Sequence, residues 1–143
     1  MDATIERRQT ADATDLSRHL AGARYLNLTT FRRSGEPVAT PVWFALVGDR
    51  AYVVTDDPSG KVKRIRHTAR VRVAPSTWRG RAIGGEAAAS ARIIADTVEH
   101  AAAERALRER YGWQWRAFNW FGERFRRRGD NSSRHVFLAI TAA

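Results

Sequence analysis

The chain of 143 residues contains no cysteine. This absence excludes disulfide bonds, thiol catalysis, and zinc or iron–sulfur centres held by cysteine. Long apolar runs are also missing, because no segment approaches the roughly 18 apolar residues that a membrane-spanning helix needs. Residues 1–12 are polar and lack the apolar core of a signal peptide. We therefore expect a single-domain cytoplasmic protein without a membrane span.

Recognisable catalytic clusters are lacking as well. The four histidines, His19, His67, His100 and His135, are too scattered for a zinc-binding motif. We find no Ser–His–Asp set and no pair of carboxylates placed for acid–base chemistry. The sequence therefore predicts no metal site and identifies no catalytic residue. If a reaction at this protein requires a proton donor, Asp56 is the candidate acidic side chain, and we favour water over it.

Acidic residues are outnumbered by basic ones, 15 against 25, which gives a net charge of +10 and an isoelectric point near 11.4. A strong positive field favours anionic partners such as nucleic acid, an acidic membrane or a polyanionic small molecule. Arginines spread along a whole chain are, however, usually a solvated surface. Lysine is rare, and the two lysines, Lys61 and Lys63, lie in one short segment. The charge of that segment is therefore more informative than the total.

The segment around Lys61 combines the features of an anion site. A strand-like run at 51–56 leads through a short loop into a basic helix. A helix start exposes unpaired backbone N–H groups and the positive end of the helix dipole. Gly60 allows a ligand close to the backbone, and Ser59 can cap the helix or bind an anion. These residues predict a phosphate seat; the alternative is an ordinary basic surface helix with its apolar residues facing the core.

Short segments of alternating apolar and polar residues indicate a mainly β protein. Predicted strands cover 25–31, 37–47, 51–56, 69–75, about 86–95 and 135–141, and predicted helices cover 13–21, 60–67, 97–111 and 113–127. Tight turns join the first three strands into an antiparallel meander, and the last strand is expected to close against an early one. We predict a six-stranded Greek-key β-barrel with short helices over 13–143, preceded by a flexible arm at 1–12.

Pro41 lies inside the second predicted strand. Proline cannot donate a hydrogen bond to a strand ladder, so it belongs on an edge or at a bulge. One interpretation is an ordinary edge strand. The other is that this edge faces a bound planar molecule.

The helices near the C-terminus carry a capping pattern and most of the aromatic residues. Asp96 and Glu99 resemble the two halves of a capping box that opens the helix at 97–111, and Gly112 interrupts the helical pattern. Two aromatic stripes follow, formed by Trp113 with Trp120 and by Trp115, Phe118 and Phe125. Such stripes indicate either core and dimer packing or an apolar lid over an aromatic substrate.

Four groups of residues occur in a characteristic order. They are Leu28–Arg32, Gly35–Phe44, Ser59–Ile65, and Val73–Pro75 followed by Arg79–Arg81. As a set, they resemble the split β-barrel flavin and deazaflavin oxidoreductases, and within them the pyridoxamine-5′-phosphate-oxidase-like branch that uses coenzyme F420. The resemblance covers about residues 20–95, with a weaker match in the closing strand. The chain departs from the pattern at 76–78 and 84–87, which bear on the pocket wall and the substrate.

This resemblance implies an FMN-binding-like split barrel that forms a homodimer, with two cofactor clefts between the subunits. It implies that the deazaflavin ring lies against the second strand and that the cofactor phosphate lies on the turn after the third strand. An arginine after the fourth strand would contact the cofactor or its acidic tail. The cofactor-binding residues so implied are Thr40, Pro41, Val42, Trp43, Thr55, Asp56, Ser59, Gly60, Lys61 and Arg79.

The function implied is an F420H2-dependent reductase that transfers hydride from the reduced deazaflavin to an unsaturated small-molecule substrate. F420 ends in a phosphate and a chain of glutamates, which the basic segment at 61–66 suits. One alternative is an oxidoreductase of the same fold that binds FMN, and another is a cofactor carrier without turnover. A third is a basic barrel that binds nucleic acid or an anionic membrane surface through aromatics interleaved with Arg124 and Arg126–Arg128. The ordered motifs make nucleic acid the less favoured partner.

Overall fold

A closed barrel of six antiparallel strands forms the centre of the computed structural model, which describes residues 16–57, 60–117 and 134–143. The strands are β1 (Tyr25–Phe31), β2 (Pro37–Val47), β3 (Arg50–Asp57), β4 (Arg70–Ser76), β5 (Ala87–Ile93) and β6 (Arg134–Ala142), and the helices are α1 (Gly60–His67) and α2 (Thr97–Tyr111). Residues 16–20 and 113–117 are also helical. The prediction of a mainly β, six-stranded barrel with short helices is confirmed.

The strand order around the barrel is β1–β2–β3–β6–β5–β4. The first three strands form the expected meander, and Gly35 and Gly48 supply the positive φ angles of 89° and 60° that its two turns require. β6 pairs with β3 from Ala51↔Ile140 to Asp57↔Arg134. The last strand therefore closes the barrel against an early one, as the sequence predicted.

Side chains pack in two apolar layers because successive residues of a strand point to opposite faces. Inward-facing residues such as Leu26, Phe44 and Val53 fill the barrel, and Ile65 of α1 joins them at one end. Outward-facing residues of β2, β3 and β6 pack under α2, which contributes Leu107 among others. The barrel therefore has one helix against its end and another against its wall.

The start of α2 differs from the predicted capping box. The Asp96 carboxylate caps the helix by accepting a hydrogen bond from the Val98 N–H at 3.2 Å. The Glu99 carboxylate instead contacts the guanidinium of Arg50 on β3 at 3.1 Å and that of Arg92 on β5 at 2.5 Å. In these contacts both partners are charged, whereas in a capping box the backbone N–H donor is neutral. Glu99 therefore ties α2 to two strands instead of completing its cap.

Several predictions concern residues beyond the described ranges. The flexible arm predicted at 1–12 and the later part of the helix predicted at 113–127 lie there, and so do Phe118, Trp120 and Phe125. Within the described ranges, no helix is long and apolar enough to cross a membrane.

Candidate functional site

The β2 strand changes its partner half-way along its length. Its first seven residues, Pro37–Trp43, pair with β1, whereas its pairing with β3 runs only from Phe44↔Val53 to Val47↔Arg50. Beyond Phe44 and Val53 the two strands separate, which leaves an opening between residues 37–43 of β2 and 54–57 of β3. We call this opening the split.

Most of the predicted cofactor-binding residues lie along the split. Thr40, Pro41, Val42 and Trp43 form its β2 side, and Thr55 and Asp56 belong to its β3 side. Thr55 is buried and pairs with Val136, and Asp56 pairs with His135; the Asp56 side chain lies outside the described part of the structure. Residues from two sequence segments therefore meet at one opening.

Pro41 occupies the free edge of this opening. It pairs with Asn27 of β1 on one side, and no residue of β3 pairs with it on the other. The expectation that Pro41 belongs on an edge is therefore confirmed. A proline suits this position because the side that faces away from the ladder needs no N–H donor.

The neighbours of Pro41 on β2 differ in what they offer. Thr40 Oγ1 is buried and finds no hydrogen-bond partner within the described part of the chain. Val42 faces the barrel interior, whereas Trp43 is half-buried on the outer face. Thr40 shares its strand face with Val42, so its hydroxyl and the Trp43 indole lie on opposite faces of β2, and the backbone edge between them is the part that suits a planar polar molecule.

The start of α1 lies directly after the β3 side of the split. Gly60 and Lys61 are its first two residues, and Ser59 lies outside the described ranges. The Arg64 side chain folds back over this helix start, so that a Cβ atom on Gly60 would lie 2.6 Å from Arg64 Nη1. Arg64 Nε donates a hydrogen bond to Thr30 Oγ1 at 2.6 Å. Arg64, which was not among the predicted site residues, therefore lies over the helix start where the phosphate seat was predicted.

A cavity of about 660 Å³ opens beside this helix start, and we call it the basic cleft. Its described lining is Phe31, Arg32, Arg33, Gly60, Lys63, Arg64, Arg66 and His67. None of these lining residues is acidic. Burial and the nearby Arg32 guanidinium both lower the pKa of Arg64, as expected where cations converge without a neutralising carboxylate.

The basic cleft and the split meet at one end of the barrel. Phe31 in the cleft pairs with Pro37, the first residue on the β2 side of the split. Gly60 follows the β3 side by three residues. A ligand could therefore extend continuously from the split into the basic cleft. Local sequence patterns do not predict this convergence, because Arg32 and Arg33 in the hairpin after β1 are some thirty residues before α1 and only the fold brings them together.

Arg79 belongs to the loop after β4, which contacts the outer side of β1 and β2. Its loop is fastened to β1 and β2, since Asn27 Nδ2 donates to the Gly80 carbonyl at 2.6 Å and a Cβ on Gly80 would lie 3.4 Å from the Pro41 ring. The Arg79 guanidinium lies 4.7 Å from the ring centroid of Trp78, which is 63% exposed. The structure thus brings the loop of Arg79 to Pro41, and Arg79 is not among the described residues that line the basic cleft.

Tyr111, at the end of α2, is a site neighbour that sequence reasoning missed. Its ring stacks on Trp43, with centroids 4.4 Å apart and planes 9° from parallel. Burial raises its pKa, although the bond to the Phe44 backbone and the nearby Arg110 charge act in the opposite direction. A tyrosine that ends a helix resembles any core aromatic in the sequence, so nothing marked it. No cluster of potential metal ligands occurs among the residues that the structure places.

Comparisons with known proteins agree with this architecture. The family described as pyridoxamine 5′-phosphate oxidase matches residues 15–143. An FAD-binding protein from Mesorhizobium loti is similar over 91% of this chain and 87% of its own, with 18% identity and a TM-score of 0.60. The heme storage protein HutZ from Vibrio cholerae is similar over 91% and 89%, with 11% identity and a TM-score of 0.63. A conserved hypothetical protein from Mycobacterium tuberculosis is similar over 90% and 79%, with 17% identity and a TM-score of 0.60. A search of curated proteins found no match.

Proposed function

The chain belongs to the pyridoxamine 5′-phosphate oxidase family of split-barrel, flavin-binding oxidoreductases, and we propose that within it this protein is an F420H2-dependent reductase. The reaction is hydride transfer to an unsaturated small-molecule acceptor. When bound, the reduced deazaflavin supplies the hydride, and the protein binds and orients both reactants. As part of the same proposal we place the protein in the cytoplasm, where its lack of cysteine fits a reducing environment.

The basic cleft is the observation that favours F420 over FMN. FMN ends in one phosphate, whereas F420 carries a phosphate followed by a chain of glutamates. The phosphate seat at Gly60 satisfies the first group, and the cleft continues from it with Arg32, Arg33 and Lys63, among other cations. Such converging positive charges repel one another unless an anion neutralises them. An acidic tail neutralises them, and FMN has none.

Two groups of the predicted residues have specific roles in this proposal, one for the phosphate and one for the ring of the cofactor. Gly60 and Lys61 hold the phosphate, with Arg64 lying over the same helix start. Backbone groups of Thr40–Trp43 line the ring along the free edge of β2. The residues present therefore fit a planar, polyanionic cofactor. Water remains our choice of proton source.

We propose that the protein acts as a homodimer. Several large apolar side chains are exposed in the single chain, among them Trp113 at 75%, Trp78 at 63% and Ile83 at 61%. Pairing of two copies would bury part of this surface and cover the open split. Trp113, Phe118 and Trp120 are the residues that we expect at this contact, and Trp113 is the one that lies within the described ranges. Static light scattering at micromolar concentration tests the proposal, and a monomer that binds F420 fully would contradict it.

Two alternatives have specific support. An FMN-dependent oxidoreductase is consistent with the flavin-binding family and with the FAD-binding protein of similar fold. Binding without turnover is consistent with the heme storage protein of similar fold. A nucleic-acid-binding role rests on charge alone and is the weakest.

Parallel titration of the purified protein with F420, FMN, heme and a single-stranded oligonucleotide separates these possibilities. The proposal predicts that F420 binds more tightly than the other three. It also predicts that the protein with F420H2 reduces unsaturated acceptors, which is followed as a change in deazaflavin absorbance. In a control without protein, the absorbance should not change. Equal or tighter binding of FMN would favour the flavin alternative.

A further inference from the structure

The Tyr111 hydroxyl lies at the point where β2 leaves one partner strand for the other. β1 begins at Tyr25, opposite Trp43, so the next residue of β2, Phe44, has no β1 residue paired with it. Tyr111 Oη is 2.9 Å from the Phe44 nitrogen, 2.9 Å from the Phe44 carbonyl oxygen and 2.7 Å from the Arg24 carbonyl oxygen. The hydroxyl accepts from the Phe44 N–H and donates its one proton to a carbonyl. It therefore takes the position of the next rung between β1 and β2.

The end of α2 holds the same junction through two further side chains. Arg110 donates a hydrogen bond to the Ala23 carbonyl, and its guanidinium lies 4.8 Å from the centroid of the Phe44 ring. The Arg24 side chain contacts Gln114 Oε1 at 3.3 Å. Gly112, with a φ of 54°, ends α2 directly after Tyr111 and allows the chain to turn there. Arg110 at the end of α2 and Gln114 in the helical residues that follow therefore contact the junction from the same side as Tyr111.

The Tyr111 ring stacks on Trp43, the residue that precedes Phe44 in β2. It is 4% exposed and lies parallel to the Trp43 indole at 4.4 Å. Trp43 stands on the β2 side of the split, one residue before the backbone groups that the hydroxyl holds. One side chain therefore fixes both the backbone of β2 at the beginning of the split and the plane of the indole beside it.

We propose that Tyr111 is a positioning residue for the cofactor site, which acts by holding the Trp43 ring and the β2 edge in place. It contacts the split through the stacked Trp43 ring and is not among the described residues that line the basic cleft, so it acts through Trp43. The part of this inference that concerns the cofactor rests on the proposed function, whereas the part that concerns Trp43 does not.

Tyr111→Phe tests the inference because it keeps the stacked ring and removes the hydroxyl. Tyr52→Phe is the matched control, since Tyr52 is 4% exposed in the same apolar layer and its side chain hydrogen-bonds to Arg50. The protein without cofactor is labelled with 5-fluorotryptophan, and Trp43→Phe identifies the Trp43 signal among the five tryptophans. We expect Tyr111→Phe to shift and broaden the Trp43 ¹⁹F resonance and Tyr52→Phe to leave it unchanged.

Cofactor binding provides the second measurement, made at a temperature where every variant is folded. We expect Tyr111→Phe to weaken F420 binding about three- to tenfold, the value of one hydrogen bond, and Tyr52→Phe to leave it unchanged. In a Trp43→Leu background the same substitution should have little additional effect, because residues that act through one another are not additive.

The outcomes separate the two claims. A Tyr111→Phe protein that is less stable but keeps the wild-type Trp43 resonance and F420 affinity would show a purely structural role and overturn the inference. If Tyr111→Phe does not fold, the Trp43→Leu variant decides: wild-type F420 affinity there would overturn the inference, and weakened binding would support it. If the wild-type protein binds no F420, the proposed function fails, and the Trp43 resonance still decides whether Tyr111 positions that ring.

Discussion

The end of α2 and the start of α1 meet the same barrel in opposite ways. Tyr111 at the end of α2 is buried, neutral and hydrogen-bonded to backbone groups, and it stacks on Trp43. The start of α1 faces an open cleft in which Arg32, Lys63 and Arg64 converge. The first arrangement suits stability and rigidity, and the described lining of the second holds several cations and no carboxylate, which favours an anionic ligand. Substitutions at the end of α2 should therefore act on stability and on the position of Trp43, whereas those at the start of α1 should act on anion binding and its dependence on salt.

The largest effect is expected on stability, from the apolar layer under α2. Leu107 is fully buried there. Leu107→Ala should lower the free energy of unfolding by about 2–5 kcal/mol, through lost burial and the cavity left behind. Urea denaturation measures the loss. Cofactor affinity of the folded variant should fall by less than that of Tyr111→Phe, because the Tyr111 hydroxyl and its hydrogen bonds remain; a larger drop would mean that the apolar layer itself shapes the cofactor site.

The next effect is expected on binding, from the phosphate seat. Lys61→Ala should weaken F420 binding by about 1.5–3 kcal/mol, the range for a hydrogen bond to a charged group. The loss should shrink as salt rises, because the contact is partly screened. Arg105→Ala, on the exposed face of α2, is the control and should bind normally. Unchanged affinity in Lys61→Ala would show that the phosphate binds elsewhere.

A smaller effect on stability is expected at alkaline pH, from Tyr111. Burial raises its pKa above the ordinary value of 10.0. In the unfolded chain the hydroxyl ionises near that value, whereas in the folded protein it stays neutral. The stability from Tyr111 is therefore fully present below about pH 10 and falls by at most about 1.4 kcal/mol per pH unit above it. Urea denaturation at pH 9 to 11 should show a shallower decline in Tyr111→Phe; parallel declines would contradict the prediction.

The smallest effect is expected from single arginines at the rim of the basic cleft. Arg32→Ala should weaken F420 binding by about 0.2–1 kcal/mol, the range for exposed ion pairs. FMN affinity should stay unchanged, because a single phosphate at Gly60 does not extend to the rim. Arg108→Ala on α2 controls for the change in net charge. An equal loss for both cofactors would indicate a general field instead of a contact with the acidic tail.

The sequence was most informative where structure depends on neighbouring residues. Alternation of apolar residues predicted the six strands, and Gly35 with Gly48 predicted the first two turns. Glu99 shows the limit of such local patterns. Its spacing from Asp96 fits a capping box, yet its carboxylate forms ion pairs with Arg50 of β3 and Arg92 of β5.

The candidate site was only partly predictable for the same reason. The fold places Thr40–Trp43, which were predicted from a family resemblance, along the split, and Gly60, which was predicted from the helix start, in the basic cleft. Arg64 and Tyr111 were not predicted as site residues. The hydroxyl of Tyr111 contacts Phe44, which is 67 positions away in sequence, and no local pattern encodes a contact at that separation.

The central claim is that the basic cleft selects a cofactor with an acidic tail. Fluorescence titration of the protein with F420 and with FMN, repeated at low and high salt, tests it most directly. We expect F420 to bind more tightly than FMN, and its affinity to fall more steeply with salt, because more ionic contacts are screened. FMN binding as tight as F420, with the same dependence on salt, would contradict the claim.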